Sequence, residues 1–150
     1  MILSKTCIYA IRAVLFTASY GGKEFVPIKR IAKELGISFH FLTKILQTLT
    51  QKGIMNSYRG PKGGVALAKP TENISIAEIV IAISGKEIFE ECILGLPGCG
   101  EQQPCPLHEQ WSDYRAGLQQ MLAETTVAGL ANKITSEGLR IEDVSKETKK

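Results

Sequence analysis

The sequence predicts a mainly α-helical fold with a small β-hairpin wing: a winged helix-turn-helix followed by a long dimerisation helix. Three observations predict it. Apolar residues recur at three- and four-residue steps through most of the chain. Two short helical patterns are separated by a tight glycine-containing turn, and a basic, glycine-rich hairpin follows directly. At 150 residues with 44% hydrophobic content, the chain is expected to fold as a globular unit. Such a unit buries about two-thirds of the surface that its unfolded chain exposes.

Ile8, Ile11, Leu15 and Ala18 mark a first amphipathic helix over residues 4–20, which Gly21-Gly22 ends. Pro27 suits the first position of a second helix, with Ile28, Ile31, Ala32 and Leu35 as its inner stripe and Gly36 as its stop. Ser38 is the expected N-cap of a third helix, whose apolar face is Phe41, Leu42, Ile45, Leu46 and Leu49, with Gly53 beyond its end. Residues 55–58 and 65–68 read as two strands joined by the tip Arg59-Gly60-Pro61-Lys62-Gly63-Gly64. A helix over 74–83 follows, apolar at Ile76, Ile79, Val80 and Ile83 and ended by Gly85. From Leu107 the apolar residues Leu107, Trp111, Tyr114, Leu118 and Met121 fall at steps of four, three, four and three, with Leu122 alongside, as in a coiled-coil seam. A second copy of this helix is the expected partner, giving a two-fold homodimer; packing on the chain's own first helix is the alternative. Residues 125–131 read as a further short helix. The organisation expected is a winged helix-turn-helix over 1–85, a cysteine-rich loop over 86–106, a dimerisation region over 107–135 and a disordered tail over 136–150, whose last nine residues are polar.

The net charge of +3 conceals a split. Residues 1–70 hold eleven basic and two acidic side chains, a balance of +9, while the remainder stands at −6. A half-chain this basic is a candidate polyanion-binding surface, because basic groups displace the counterions condensed on phosphates. In a winged helix-turn-helix the third helix enters the major groove of double-stranded DNA. Its outward positions are Ser38, His40, Thr43, Lys44 and Gln47, which carry donors and acceptors for base edges. Arg59 and Lys62 on the wing are expected in the minor groove or on phosphates, and Lys29, Arg30 and Lys33 on the backbone. A two-fold dimer implies a palindromic operator.

Four cysteines in a chain with no export signal argue for reduced thiols and a cytoplasmic protein. The longest unbroken apolar run, 79–83, is far too short to span a bilayer, so no membrane association is expected. Cys92, Cys99, Cys105 and His108 fall within seventeen positions of a segment rich in Gly, Pro and Gln. Soft thiolates with an imidazole suit an iron–sulfur cluster, zinc or copper(I). Structural zinc usually prefers cysteine pairs two to four residues apart, and the wider spacing here favours the larger cluster. Redox-active thiols that form a disulfide are the competing reading; inert packing is disfavoured because the segment is too polar to form a core. No nucleophile elbow, nucleotide-binding glycine loop or helical metalloprotease pair is present, so an enzyme is not expected. A small electron carrier would have no use for the basic wing.

Taken together, these features resemble the iron–sulfur cluster regulator (IscR-type) transcription factors of the bacterial Rrf-two superfamily. The resemblance covers about residues 1–135. It rests on Leu3-Ser4-Lys5 with Tyr9-Ala10-Ile11-Arg12-Ala13, on Gly36-Ile37-Ser38 through Phe41-Leu42, and on the wing motif from Arg59 to Gly64, the most specific of the three. It implies a homodimeric regulator whose cluster state, most simply 2Fe–2S, alters DNA binding, with Cys92, Cys99, Cys105 and His108 as cluster ligands. It also implies Ser38, His40 and Thr43 as base readers, Arg59 as the wing contact, and cluster-assembly machinery as a possible partner. Relatives that ligate through a first-helix acidic residue have it where this chain has Ile8, which favours His108 as fourth ligand over Cys7 of a partner subunit. Positions 40 and 43 depart from the IscR pattern, so the operator sequence is expected to differ. A cluster-free thiol sensor that still binds DNA would differ only at the cysteine segment.

Overall fold

Ser4 opens the first helix: its hydroxyl accepts the Cys7 N–H at 3.1 Å and satisfies an amide that a helix start leaves without a partner. In this computed structural model, which describes residues 2–20, 24–100 and 102–143, α1 (Lys5–Ser19) is the central helix. α2, α3, α4 and α7 all pack against it. Its most buried face runs through Cys7, Ala10, Ala13, Val14, Thr17 and Ala18, whereas Ile8 and Ile11 of the predicted stripe are only half-buried. Small side chains let several helices approach one axis closely, so the inward face is set by size as much as by hydropathy. Gly21-Gly22, predicted to end this helix, lies outside the described residues.

Val26 and Val65 form an antiparallel bridge through two hydrogen bonds of 2.8 and 2.9 Å. Pro27 then caps α2 (Ile28–Leu35) from the position just outside it, one residue earlier than expected, and Gly36 ends it in the left-handed region at φ 65°. α3 (Phe39–Gln51) buries Leu42, Ile45, Leu46 and Leu49 as predicted. Ser38 occupies its N-cap position without a side-chain capping bond. Each fully buried leucine of this set stabilises the fold by roughly 1.5–3 kcal/mol, which fixes α3 on the scaffold and leaves its other face free.

The hairpin pairs β1 (Met55–Tyr58) with β2 (Gly64–Leu67), in a register running from Met55 opposite Leu67 to Tyr58 opposite Gly64. The second strand starts one residue before the predicted 65, because Gly64 itself pairs with Tyr58. A 3-10 turn (Thr71–Asn73) leads into α4 (Ile76–Ser84), whose N-cap Ser75 accepts the Glu78 N–H at 3.1 Å. This helix starts two residues later than expected because Ile74 is extended and wholly buried. Gly85 ends α4 at φ 78°.

Beyond Gly85 the predicted loop contains a short helix, α5 (Glu87–Glu90), which buries Phe89. The expected dimerisation region divides in two: α6 (His108–Glu124) and α7 (Val127–Glu137) are separated by Thr125 and Thr126. Backbone bonds from Ile76 N to Thr125 O (2.9 Å) and from Val127 N to Ile74 O (2.8 Å) tie that corner to the start of α4 and return α7 onto α1. The tail expected to be disordered from residue 136 also needs correction: Ser136 and Glu137 complete α7. Ile141 is half-buried, its carbonyl accepting Arg12 Nε at 2.5 Å. The same guanidinium donates to the Leu35 carbonyl at 3.1 Å, linking the C-terminal segment to the end of α2. The rest of the predicted tail, 144–150, lies outside the described residues. Among the described residues no helix is long and apolar enough to cross a membrane.

Candidate nucleic-acid interface and thiol site

With its apolar face buried, α3 presents Ser38, His40, Lys44 and Gln47 as exposed side chains. Thr43 is half-buried, and its hydroxyl donates to the Phe39 carbonyl at 2.7 Å, which leaves the oxygen as an acceptor. Arg59 and Lys62 stand exposed on the wing. A single groove runs between α3 and the wing, lined by Thr43, Gln47, Tyr58 and Arg59 among others, so the two predicted DNA-contacting elements share one concave face. Lys29, Arg30 and Lys33 are exposed on α2; the Arg30 guanidinium lies 4.3 Å from the Tyr20 ring centre and donates to its hydroxyl at 2.6 Å. The exposed rings of Phe39 and Tyr58 also line the groove. Sequence reasoning missed both, although Phe39 falls off the inner stripe of α3 at its first turn.

The wing is seated by glycine. Gly64 has φ 150°, and a Cβ placed there would lie 2.0 Å from the Val26 carbonyl oxygen. The Val26–Val65 bridge therefore requires glycine at this point.

Away from this groove, three cysteines and a histidine form two contacting pairs. Cys92 follows α5 and is buried, with its sulfur 3.5 Å from that of Cys105. The Cys99 sulfur lies 3.5 Å from Nδ1 of His108, the first residue of α6. Backbone N–H groups of Leu96 and Leu94 hold the Cys92 thiol below its ordinary pKa. Partial desolvation, then the hydrogen bond with Cys92, push the Cys105 thiol up. The segment is less polar in effect than expected, since α5 gives Phe89 and Cys92 a small buried environment. Cys7 stands apart: it is wholly buried on α1, hydrogen-bonded to Ser84, and burial raises its pKa.

Among the described residues no three His, Cys, Asp or Glu side chains converge on a point for one metal ion. The Cys92–Cys105 and Cys99–His108 pairs offer sulfur and imidazole donors of the kind that iron–sulfur centres take.

Two residues that sequence reasoning did not assign here brace this site. The Trp111 indole N–H donates to the Glu91 carbonyl at 2.9 Å. Arg115 donates to the Glu90 and Glu91 carbonyls at 3.0 and 2.9 Å, and its guanidinium touches the Cys99 sulfur at 3.5 Å. His108, Trp111 and Arg115 are spaced three and four apart on α6, a helical signal readable in the sequence once the loop is known to lie against that face.

Of the predicted dimer seam, Tyr114, Met121 and Leu107 are exposed, at 77%, 56% and 43%. Trp111 and Leu118 are half-buried, and with Ile2, Tyr114 and Met121 they line a shallow apolar groove. Trp111 thus serves both faces, its ring edge held by the thiol loop. α6 packs on α4 and α5, with Leu122 buried.

Fold and sites together define a winged helix-turn-helix transcriptional regulator with a thiol–imidazole site at the head of α6. The chain belongs to the Rrf2 family, described as iron-dependent transcriptional regulators, whose profile matches residues 3–133. The transcriptional regulator IscR of Klebsiella pneumoniae is 31% identical over 124 residues, covering 83% of this chain and 76% of its own. CymR of Staphylococcus aureus in an oxidized form is 29% identical, with a TM-score of 0.69 and coverage of 87% and 96%. The structure of T. potens IscR superposes with a TM-score of 0.72 over 96% of this chain and 95% of its own, at 22% identity, a likeness of fold. Members of this family regulate transcription and are not enzymes.

Proposed function

We propose that the chain is a homodimeric regulator that senses iron–sulfur cluster or redox status through a cluster held by Cys92, Cys99, Cys105 and His108. The observation that supports this reading is the pairing of these four side chains in two contacts of 3.5 Å, Cys92 with Cys105 and Cys99 with His108. When bound, a cluster supplies a centre that responds to electrons, oxygen and iron supply. The protein's own part is to present three thiolates and an unprotonated imidazole nitrogen from one loop and one helix start. Because α6 also carries the exposed apolar seam, ligation at its first turn would bear on how two copies meet. For the ligand state to act as a switch, it must favour one arrangement of the DNA-binding units over another in free energy. α3 and the wing together are the proposed DNA face: Thr43 and Arg59 line the groove between them, while Ser38, His40 and Lys44, exposed on α3 outside that groove, are proposed to reach bases with Thr43, and Lys62 on the wing to reach the backbone or minor groove with Arg59. A palindromic operator, a cytoplasmic location and cluster supply from assembly machinery belong to the same reading.

The test is the visible spectrum of protein purified without oxygen, with iron and sulfide assayed on the same sample. Coloured protein with matching iron and sulfide is expected, and Cys99→Ala should abolish it. A variant that keeps the full spectrum would remove Cys99 from the ligand set. A colourless protein that cannot be reconstituted would leave a cluster-free thiol sensor.

The Cys92–Cys105 contact supports that second reading specifically. Two thiols at this separation, one of them depressed in pKa, are poised to form a disulfide: a peroxide takes two electrons from the sulfurs, and with the two thiol protons leaves as water and alcohol or as two waters. Mass spectrometry of peroxide-treated, cluster-free protein would detect a loss of two hydrogens confined to this pair.

A further inference from the structure

We infer that Arg115 is a positioning residue for the thiol site, clamping the Cys92 turn to α6 and setting a fixed positive charge on the Cys99 sulfur. One NH1 group meets three acceptors: the Glu90 and Glu91 carbonyls and Cys99 Sγ. The two carbonyls lie at the end of α5, where backbone acceptors have run out of helical partners. Cys92 is the next residue after Glu91, so holding these carbonyls fixes where its sulfur emerges. Trp111 holds the Glu91 carbonyl one turn earlier on the same helix face.

The planar, always-charged guanidinium suits this task better than an ammonium, since it can serve several acceptors from one fixed orientation. A charged donor beside a ligand sulfur favours the more negative, reduced form of an iron–sulfur centre. The electrostatic half of the inference rests on the cluster reading above; the clamp does not.

The experiment uses the full chain and two variants, Arg115→Gln and Arg115→Lys. Trp111 is the chain's one tryptophan, so its fluorescence reports the clamp directly. In cluster-free protein, acrylamide quenching of Trp111 should rise in both variants. In cluster-loaded protein, a redox titration of Arg115→Gln should show the reduced-to-oxidised ratio falling about tenfold at fixed potential, equivalent to 59 mV for one electron. Arg115→Lys retains a charge and should recover most of that shift, which a merely structural role would not produce. Unchanged quenching in both variants overturns the clamp. Equal midpoint potentials in Arg115→Gln and the parent overturn the charge assignment. If the parent itself binds no cluster, the cluster reading and the charge assignment fail together, while quenching still decides the clamp.

Discussion

Replacing Gly64 with alanine is the sharpest test of how the wing is held to the helix-turn-helix. The added Cβ would lie 2.0 Å from the Val26 carbonyl oxygen, 2.4 Å from its carbon and 2.8 Å from the Pro27 nitrogen. All three are backbone atoms, so no side chain can swing aside. Restoring ordinary contact requires a separation of about an ångström or more. That movement takes both Val26–Val65 hydrogen bonds, now 2.8 and 2.9 Å, beyond effective range. Losing two such bonds costs about 0.5–1.5 kcal/mol each, and holding alanine at φ 150° adds about 1–3 kcal/mol. The sum, roughly 2–6 kcal/mol, corresponds to a fall in Tm on the order of 10 °C for a chain of this length. Gly129→Ala is the matched control, in exposed helix with its nearest neighbour at 3.4 Å, and should stabilise by about 0.5–1 kcal/mol. Thermal melts and DNA-binding anisotropy on the same samples read both consequences. A Gly64→Ala protein that melts within about 2 °C of the parent and binds DNA equally well would refute the close approach.

Arg59→Ala should weaken DNA binding and reduce the salt slope of log K by about one, since a phosphate or minor-groove cation is lost; unchanged affinity and slope in a salt titration would remove Arg59 from the interface. Tyr114→Glu places a charge in the exposed seam of α6 and should convert the proposed dimer to monomer in sedimentation velocity, whereas a dimer of undiminished stability would move the interface elsewhere. In cluster-free protein, the alkylation rate of Cys92 should begin to rise at a lower pH than that of Cys105. The lower pKa of Cys92 populates its thiolate first, and the raised pKa of Cys105 delays its own. Cys7, buried and raised in pKa, should react last. Peptide mapping after timed alkylation at a series of pH values gives each onset, and a Cys92 onset at or above that of Cys105 would contradict the backbone N–H contacts assigned to Cys92.

The elements that could be read from the chain are those governed by neighbours close in sequence. Helical periodicity located α3 and its buried leucines, Gly36 and Gly85 marked helix ends through backbone freedom, and Ser4 and Ser38 marked starts by position. The wing was readable because strand, glycine-rich tip and strand lie within thirteen residues. Donor chemistry alone singled out Cys92, Cys99, Cys105 and His108 as candidate ligands or redox thiols.

Where the reading of the chain fell short, the deciding contacts join residues far apart in sequence. The inward face of α1 follows from four helices packing around Ala10 and Ala13, which hydropathy alone ranks below Ile8 and Ile11. α7 folds back onto α1 because Thr125 and Val127 bond to residues about fifty positions earlier. Arg115 took no part in the motif reading; only the packing of α5 against α6 brings it to the Glu90 and Glu91 carbonyls and the Cys99 sulfur. Sequence by itself determined most of the elements that form and singled out the side chains proposed to carry chemistry, because those depend on local backbone preference and residue type. Tertiary structure alone decided which faces meet, which thiols pair and which cation stands beside them, because each depends on packing that no short window of sequence contains.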